Sequence, residues 1–154
     1  LAWHATPPVF DGADDRNGRR NHDEAVFWTQ YLDGTLPMAA PEGPFVLLGD
    51  GNLDPADGDG LRDGIAGLLA HPRVQDPAPK GQQDRTDPGQ SGDPRLDTVI
   101  YPDLGGLRLD YVLPSPGLRV IGAGVLWPAD GDPLLADLVA ASHHFPVWVD
   151  LELP

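Results

Sequence analysis

Proline and glycine punctuate this chain so densely that it must be either disordered or rich in loops: nineteen glycines and eighteen prolines fall within 154 residues. About a quarter of the chain in these two residue types approaches the level at which low-complexity disorder is the default. Four tryptophans and several clean apolar runs decide for a folded, loop-rich domain. The length suits one domain with a real core. No stretch approaches the roughly 18 consecutive apolar residues that a helical membrane span needs, so no such span is expected. Twenty-four acids against ten bases leave a net charge of −14. That surface repels phosphate backbones at long range and excludes broad coating of nucleic acid, while leaving room for a local basic site. Cysteine is absent, which removes disulfides, zinc knuckles and thiol nucleophiles. Lys80 is the only lysine, and the Ala, Gly, Pro, Asp and Arg bias fits a GC-rich bacterial coding sequence. The opening Leu1-Ala2-Trp3 reads as a chain entered within a strand, so an upstream segment is expected.

Residues 1–10 read as the end of a buried strand that runs into a loop at Thr6-Pro7-Pro8. Asp11 to Asn21 reads as a polar loop holding Arg16, Arg19 and Arg20. Asn21 then caps a helix with Glu24 three residues on, Phe27/Tyr31 and Trp28/Leu32 share one face, and the helix ends near Gly34. Phe45-Val46-Leu47-Leu48 has the pattern of a central strand covered on both faces, delivering Gly49-Asp50-Gly51-Asn52 just past its carboxyl end. Leu61, Ile65, Leu68 and Leu69 mark an amphipathic helix stopped by Pro72. From about 71 to 95 there is no apolar periodicity, and a long flexible loop is expected. Leu96–Tyr101, a turn at Gly105-Gly106 and the alternating Leu107–Leu113 predict a hairpin. Leu118–Trp127 is a further strand whose Gly122 and Gly124 predict a bulge or close packing. Asp132-Pro133 opens a short helix, and Val147–Leu151 is a half-buried terminal strand. The fold class this predicts is α/β (α+β): a layered β-sandwich of mixed sheets flanked by helices.

Four polar clusters share one placement, at or in a strand bounded by loops: His4, the pair Asp50 and Asn52, Asp110, and His143-His144. Taken singly, each has a plain structural explanation. His4 could be an ordinary strand-end histidine, Asp110 a solvent-facing carboxylate, and the three arginines a solvated patch. Taken together they supply what phosphate-ester hydrolysis needs: carboxylates and an amide oxygen that suit magnesium or manganese, and imidazoles that move protons near neutral pH.

The order His4, Gly49-Asp50-Gly51-Asn52, Arg108-Leu109-Asp110-Tyr111 and Ser142-His143-His144-Phe145-Pro146-Val147 resembles the second half of the endonuclease/exonuclease/phosphatase superfamily, which has the deoxyribonuclease I-like fold. The likeness runs from His4 to Leu151 and is nearest to uncharacterised bacterial members, whose style is matched by Arg16-Asn17-Gly18-Arg19-Arg20-Asn21-His22-Asp23-Glu24 and Asp54-Pro55-Ala56-Asp57-Gly58. The resemblance implies a metal-dependent phosphoesterase acting on phosphodiesters or phosphomonoesters, nucleic acid among the substrates to consider, with Mg2+ or Mn2+ as cofactor. Asp50 would activate the attacking water, and Asn52 would help fix water, metal or phosphate. His144 would contact a phosphoryl oxygen or shuttle a proton, oriented by Asp110. His4 would protonate the leaving group, and Arg16, Arg19 and Arg20 would clamp substrate phosphate. The implied metal set is Asp50, Asn52 and, where the family usually has Asp, His143.

Two departures from the family pattern carry expectations. Gly51 replaces a usual Phe or Leu, which predicts a looser backbone between Asp50 and Asn52. An imidazole at His143 is a poor magnesium ligand and a tolerable manganese or zinc one. The resemblance also implies that this chain is the C-terminal half of a four-layer fold, lacking the half that carries the family's principal metal-binding glutamate. Weak or no catalysis by the chain alone follows, as does an exposed sheet face. The rival reading is a non-catalytic phosphate- or divalent-cation-binding module. As a calcium loop, Asp50, Asn52 and Asp54 fit the first ligand positions, but Pro55 and Leu61 occupy the places of the required glycine and glutamate.

Overall fold

A computed structural model describes residues 1–83, 85 and 87–153. In chain order the elements are β1 (Ala2–His4), α1 (Arg16–Leu32), β2 (Val46–Asp50), α2 (Asp63–Leu69), β3 (Val99–Tyr101), β4 (Gly105–Leu107), β5 (Asp110–Pro114), β6 (Arg119–Val125), α3 (Pro133–Ala141) and β7 (Val147–Glu152). Short 3-10 turns at Gly12–Asp14 and Pro94–Leu96 complete the set. The strands form three small sheets, β1-β2-β5, β3-β4 and β6-β7. β1 runs parallel to β2, and every other pairing is antiparallel. The architecture is the layered, mixed α/β class expected.

The main core lies under the three-stranded sheet. Leu47, Tyr111 and Leu113 point from β2 and β5 onto Leu32 of α1 and Ile65 and Leu68 of α2. Burial of each such side chain stabilises the fold by roughly 1.5–3 kcal/mol. β2 is central, as expected, but it is covered on one face only: Leu47 is fully buried and Leu48 is 44% exposed. β1 is likewise an edge strand with its flanking residues exposed rather than a buried one.

Helix α1 starts five residues before the expected cap, so Arg16, Arg19 and Arg20 lie on a helix and not in a loop. The Asp11 carboxylate accepts from the Asn17 and Gly18 backbone N–H groups and satisfies the helix start. Asn21 caps nothing. It is buried within α1, and its Nδ2 donates to Thr6 O (2.8 Å) and Gly51 O (2.9 Å). The helix is thereby tied to the Asp50–Asn52 turn by a polar face that apolar periodicity cannot reveal.

Gly105 and Gly106 are strand residues of β4 rather than the hairpin turn, which falls between Tyr101 and Gly105. The alternation over Leu107, Leu109, Tyr111 and Leu113 is buried as expected. Gly122 marks a register shift in the β6–β7 ladder, and the Trp148 ring fills the space beside Gly122 and Gly124. Asp132 accepts from Leu134 N at the start of α3.

The described residues from His71 to Asp93 form no helix or strand. Hydrogen bonds anchor this segment to the body: Arg73 Nη1 donates to Leu32 O (2.8 Å), and Gln75 Nε2 donates to Ser115 O (3.0 Å) and Leu118 O (2.7 Å). Arg108 grips Asp76 through two bonds of 2.7 and 2.6 Å.

Candidate active site

Strand register alone assembles most of the site. His4 of β1 lies opposite Asp50 of β2, and Asp50 lies opposite Asp110 of β5. Residues paired across neighbouring strands share a face, so the three form one row across the sheet end. His4 Nε2 is 3.5 Å from Asp50 Oδ2, with the histidine side chain largely exposed and the carboxylate mostly covered.

His144 completes the row from the far end of the chain. Its backbone bridges to Val99, and Phe145 N donates to Thr98 O (2.8 Å), which brings the imidazole over β5. His144 Nδ1 then donates to Asp110 Oδ2 at 2.8 Å. Facing a carboxylate, Nδ1 must carry the proton, which leaves Nε2 as the second working nitrogen of the ring. Ligand atoms of Asp50, Asp110 and His144 all lie within 4.8 Å of one another.

Asn52 adopts a left-handed backbone (φ 49°), a conformation asparagine tolerates better than most residues. This lets its N–H donate to Asp50 Oδ1 (2.8 Å) and its Nδ2 to Asp50 Oδ2 (3.0 Å) and Ala5 O (2.9 Å). Burial pushes the Asp50 carboxyl above its ordinary pKa, the Asn52 N–H opposes that rise, and the Asp110 charge adds to it. The Tyr101 phenol is also raised, by burial and then by the Asp50 and Asp110 charges, so it belongs to the same surroundings.

Gly51 is not loose. Its N–H donates to Leu109 O (2.7 Å) and its O accepts from Asn21. A Cβ added there would lie 3.1 Å from both the Trp3 and Tyr111 rings. Those two rings occupy the space that a larger side chain would need.

His143 is exposed and is not among the ligand groups of Asp50, Asp110 and His144 that lie within 4.8 Å of one another. Arg20 lines a shallow cavity of about 410 Å3 with His4, Trp3, Phe27 and Trp28, and it pairs with Glu24 at 2.9 Å. Arg16 and Arg19 are exposed on the same helix.

One positioning residue escaped the sequence reading. The Thr98 hydroxyl donates to Asp110 Oδ2 (2.7 Å) and accepts from Leu109 N (3.0 Å) and Asp110 N (3.1 Å). All the bonding capacity of a hydroxyl is thus used to hold Asp110. A lone threonine between Asp97 and a β-branched run is an ordinary strand residue, so only the strand pairing exposes its role.

Asp54 does not extend the site toward a calcium loop. Its carboxylate accepts from the backbone N–H groups of Ala56, Asp57 and Arg108 (2.7, 2.9 and 2.6 Å) and so shapes a turn. Glu24 holds Thr6 and Arg20, and Glu152 pairs with Arg119. Among the described residues, no glutamate joins the Asp50–Asp110–His144 group.

The sequence model described as Endonuclease/Exonuclease/phosphatase family matches residues 3–146. No curated protein matches the chain. Among solved structures, the crystal structure of sphingomyelinase C from Streptomyces griseocarneus is similar, at 16% identity and a TM-score of 0.43, over 97% of this chain and 48% of that one. The chain thus spans about half the length of that structure.

Proposed function

The chain belongs to the endonuclease/exonuclease/phosphatase family, and from that premise we propose that the Asp50–Asp110–His144 row is the centre of a metal-dependent phosphoesterase for phosphodiesters or phosphomonoesters. The observation that carries the reading is the cross-strand row itself: groups from β1, β2, β5 and the approach to β7 meet at one sheet end.

The donor set fits a hard divalent cation. Asp50 and Asp110 face each other as oxygen ligands, and the rise in the Asp50 pKa records both its burial and their mutual repulsion. Magnesium or manganese would be held by these two carboxylates and would neutralise charge developing on the phosphoryl oxygens. Asp50, oriented by both Asn52 bonds, takes the proton of the attacking water as the new P–O bond forms. His144, locked by Asp110 and Thr98, presents Nε2 to a phosphoryl oxygen. As the P–O bond to the leaving group breaks, the exposed His4 supplies the proton that the departing oxygen needs. Arg20, beside His4, is placed to pair with a substrate phosphate.

A second reading, binding of phosphate or a divalent cation without catalysis, draws support from the engagement of Glu24 and Glu152 in structural contacts. Turnover by these 154 residues is therefore slow under the enzymatic reading. Its partners under that reading are a phosphate-ester substrate and a further portion of the fold that would cover exposed apolar side chains such as Ile121 and Trp148.

Hydrolysis of bis-p-nitrophenyl phosphate and p-nitrophenyl phosphate with magnesium or manganese tests this reading. We expect slow turnover above the metal-only background, falling about 100-fold or to background in Asp50→Asn. Wild-type turnover no faster than that of Asp50→Asn would overturn the enzymatic reading in favour of the binding one.

A further inference from the structure

A cavity of about 500 Å3 opens beside the candidate site and is not used by any step above. Its size is that of a small-molecule pocket. Asn52 and Tyr101 line it, so it adjoins the groups that orient Asp50 and feel the Asp50 and Asp110 charges. Its walls are Pro8, Val9, Leu104, Leu107 and Leu109, a mostly apolar surface.

The charged side chains lining it are all acidic. Asp54 and Asp57 are engaged by backbone N–H groups, while Asp59 and Asp103 remain exposed at the cavity. Among the described residues no lysine, arginine or histidine lines it. A second phosphate of a nucleic-acid strand would meet four carboxylates and no cation there, on a chain whose net charge is already −14.

Phe10 adds an independent observation. It lines the cavity, is 99% exposed and holds a left-handed backbone (φ 64°). An aromatic residue in that conformation is strained, and its exposed ring is unfavourable in water. Both costs are offset when the ring covers an apolar ligand.

We propose that this cavity receives an uncharged apolar group, aryl or short alkyl, esterified to the phosphate held at the Asp50–Asp110–His144 row. The substrate is then a small apolar phosphoester rather than a polynucleotide. This inference rests on the phosphoesterase reading for its phosphate and on the cavity for its organic group, and the two can be tested separately.

Phenylphosphonate and methylphosphonate, neither of which is hydrolysed, are titrated calorimetrically into the protein in millimolar magnesium. The phenyl compound should bind about tenfold tighter, an advantage reduced to about twofold or less in Leu104→Asp and lowered in Phe10→Ser. Both substituted positions are exposed and lie on different loops, so neither change threatens the core. Equal wild-type affinities, no binding of either compound, or a preference that neither substitution moves would overturn the proposal. A lost phenyl preference with Asp50-dependent hydrolysis intact removes the pocket alone. A phenyl preference that depends on Leu104, in a protein whose hydrolysis ignores Asp50, instead removes the phosphoesterase reading.

Discussion

Replacing Thr98 by valine deletes one hydroxyl at nearly constant shape, at a residue only 1% exposed. Three contacts disappear together: the 2.7 Å bond to Asp110 Oδ2 and the bonds that receive Leu109 N and Asp110 N at 3.0 and 3.1 Å. A buried N–H left without a partner costs about 1–3 kcal/mol, and a hydrogen bond to a charged group contributes about 1.5–3 kcal/mol. Water can reach part of the Asp110 carboxylate, whose side chain is 22% exposed, and recovers some of that loss. The net destabilisation expected is about 2–4 kcal/mol, or a fall in Tm of roughly 5–12 °C for a domain of this size. Urea denaturation followed by circular dichroism measures it, with Thr98→Ser as the control that keeps the hydroxyl and stays within about 1 kcal/mol of wild type. Phosphodiester turnover should fall about 10–100-fold in the valine variant, because the partner that orients the Asp110–His144 pair is gone. Thr98→Val within about 0.5 kcal/mol of wild type, with unchanged turnover, would refute the positioning argument.

Asp97 gives a pH signature of opposite sense to the usual aspartate. Burial pushes its carboxyl up to about 6, Gln90 and Arg85 oppose the rise, and Asp54 and Asp87 add to it. The folded state therefore binds this proton more tightly than the unfolded state, whose aspartate titrates near 3.9. The contribution is fully present below about pH 4 and is lost as pH rises through about 6, amounting to about 3 kcal/mol. Asp97→Asn should gain roughly that much relative to wild type between pH 4 and pH 7 in urea titrations, and a pH-independent difference would refute the assignment. Gly51→Leu, which installs a residue type usual in the family, should destabilise by about 1–3 kcal/mol, because the Trp3 and Tyr111 rings already stand 3.1 Å from its first carbon. A neutral or stabilising Gly51→Leu in the same measurement would show that those rings yield.

Strand and helix positions were legible wherever apolar spacing carried them: β2, α2, α3 and β7 lie where their leucines and valines predict. The start of α1 was not, because Arg16 to Asn21 has no apolar face and its buried side is held by the polar Asn21. Asp50, Asp110 and His144 could be named from motifs, yet their meeting depends on a register that pairs Asp50 with Asp110 and on a bridge between Val99 and His144. No local pattern encodes those pairings. Thr98 and Tyr101 carry no local signal as site residues for the same reason, and His143, next to His144 in sequence, is exposed and outside the Asp50–Asp110–His144 group.

Calorimetric titration with manganese tests most directly whether Asp50, Asp110 and His144 act as one site. The wild type should bind a single ion, with affinity about tenfold weaker or worse in Asp50→Asn and in Asp110→Asn alike. Affinity unchanged in either variant would contradict it.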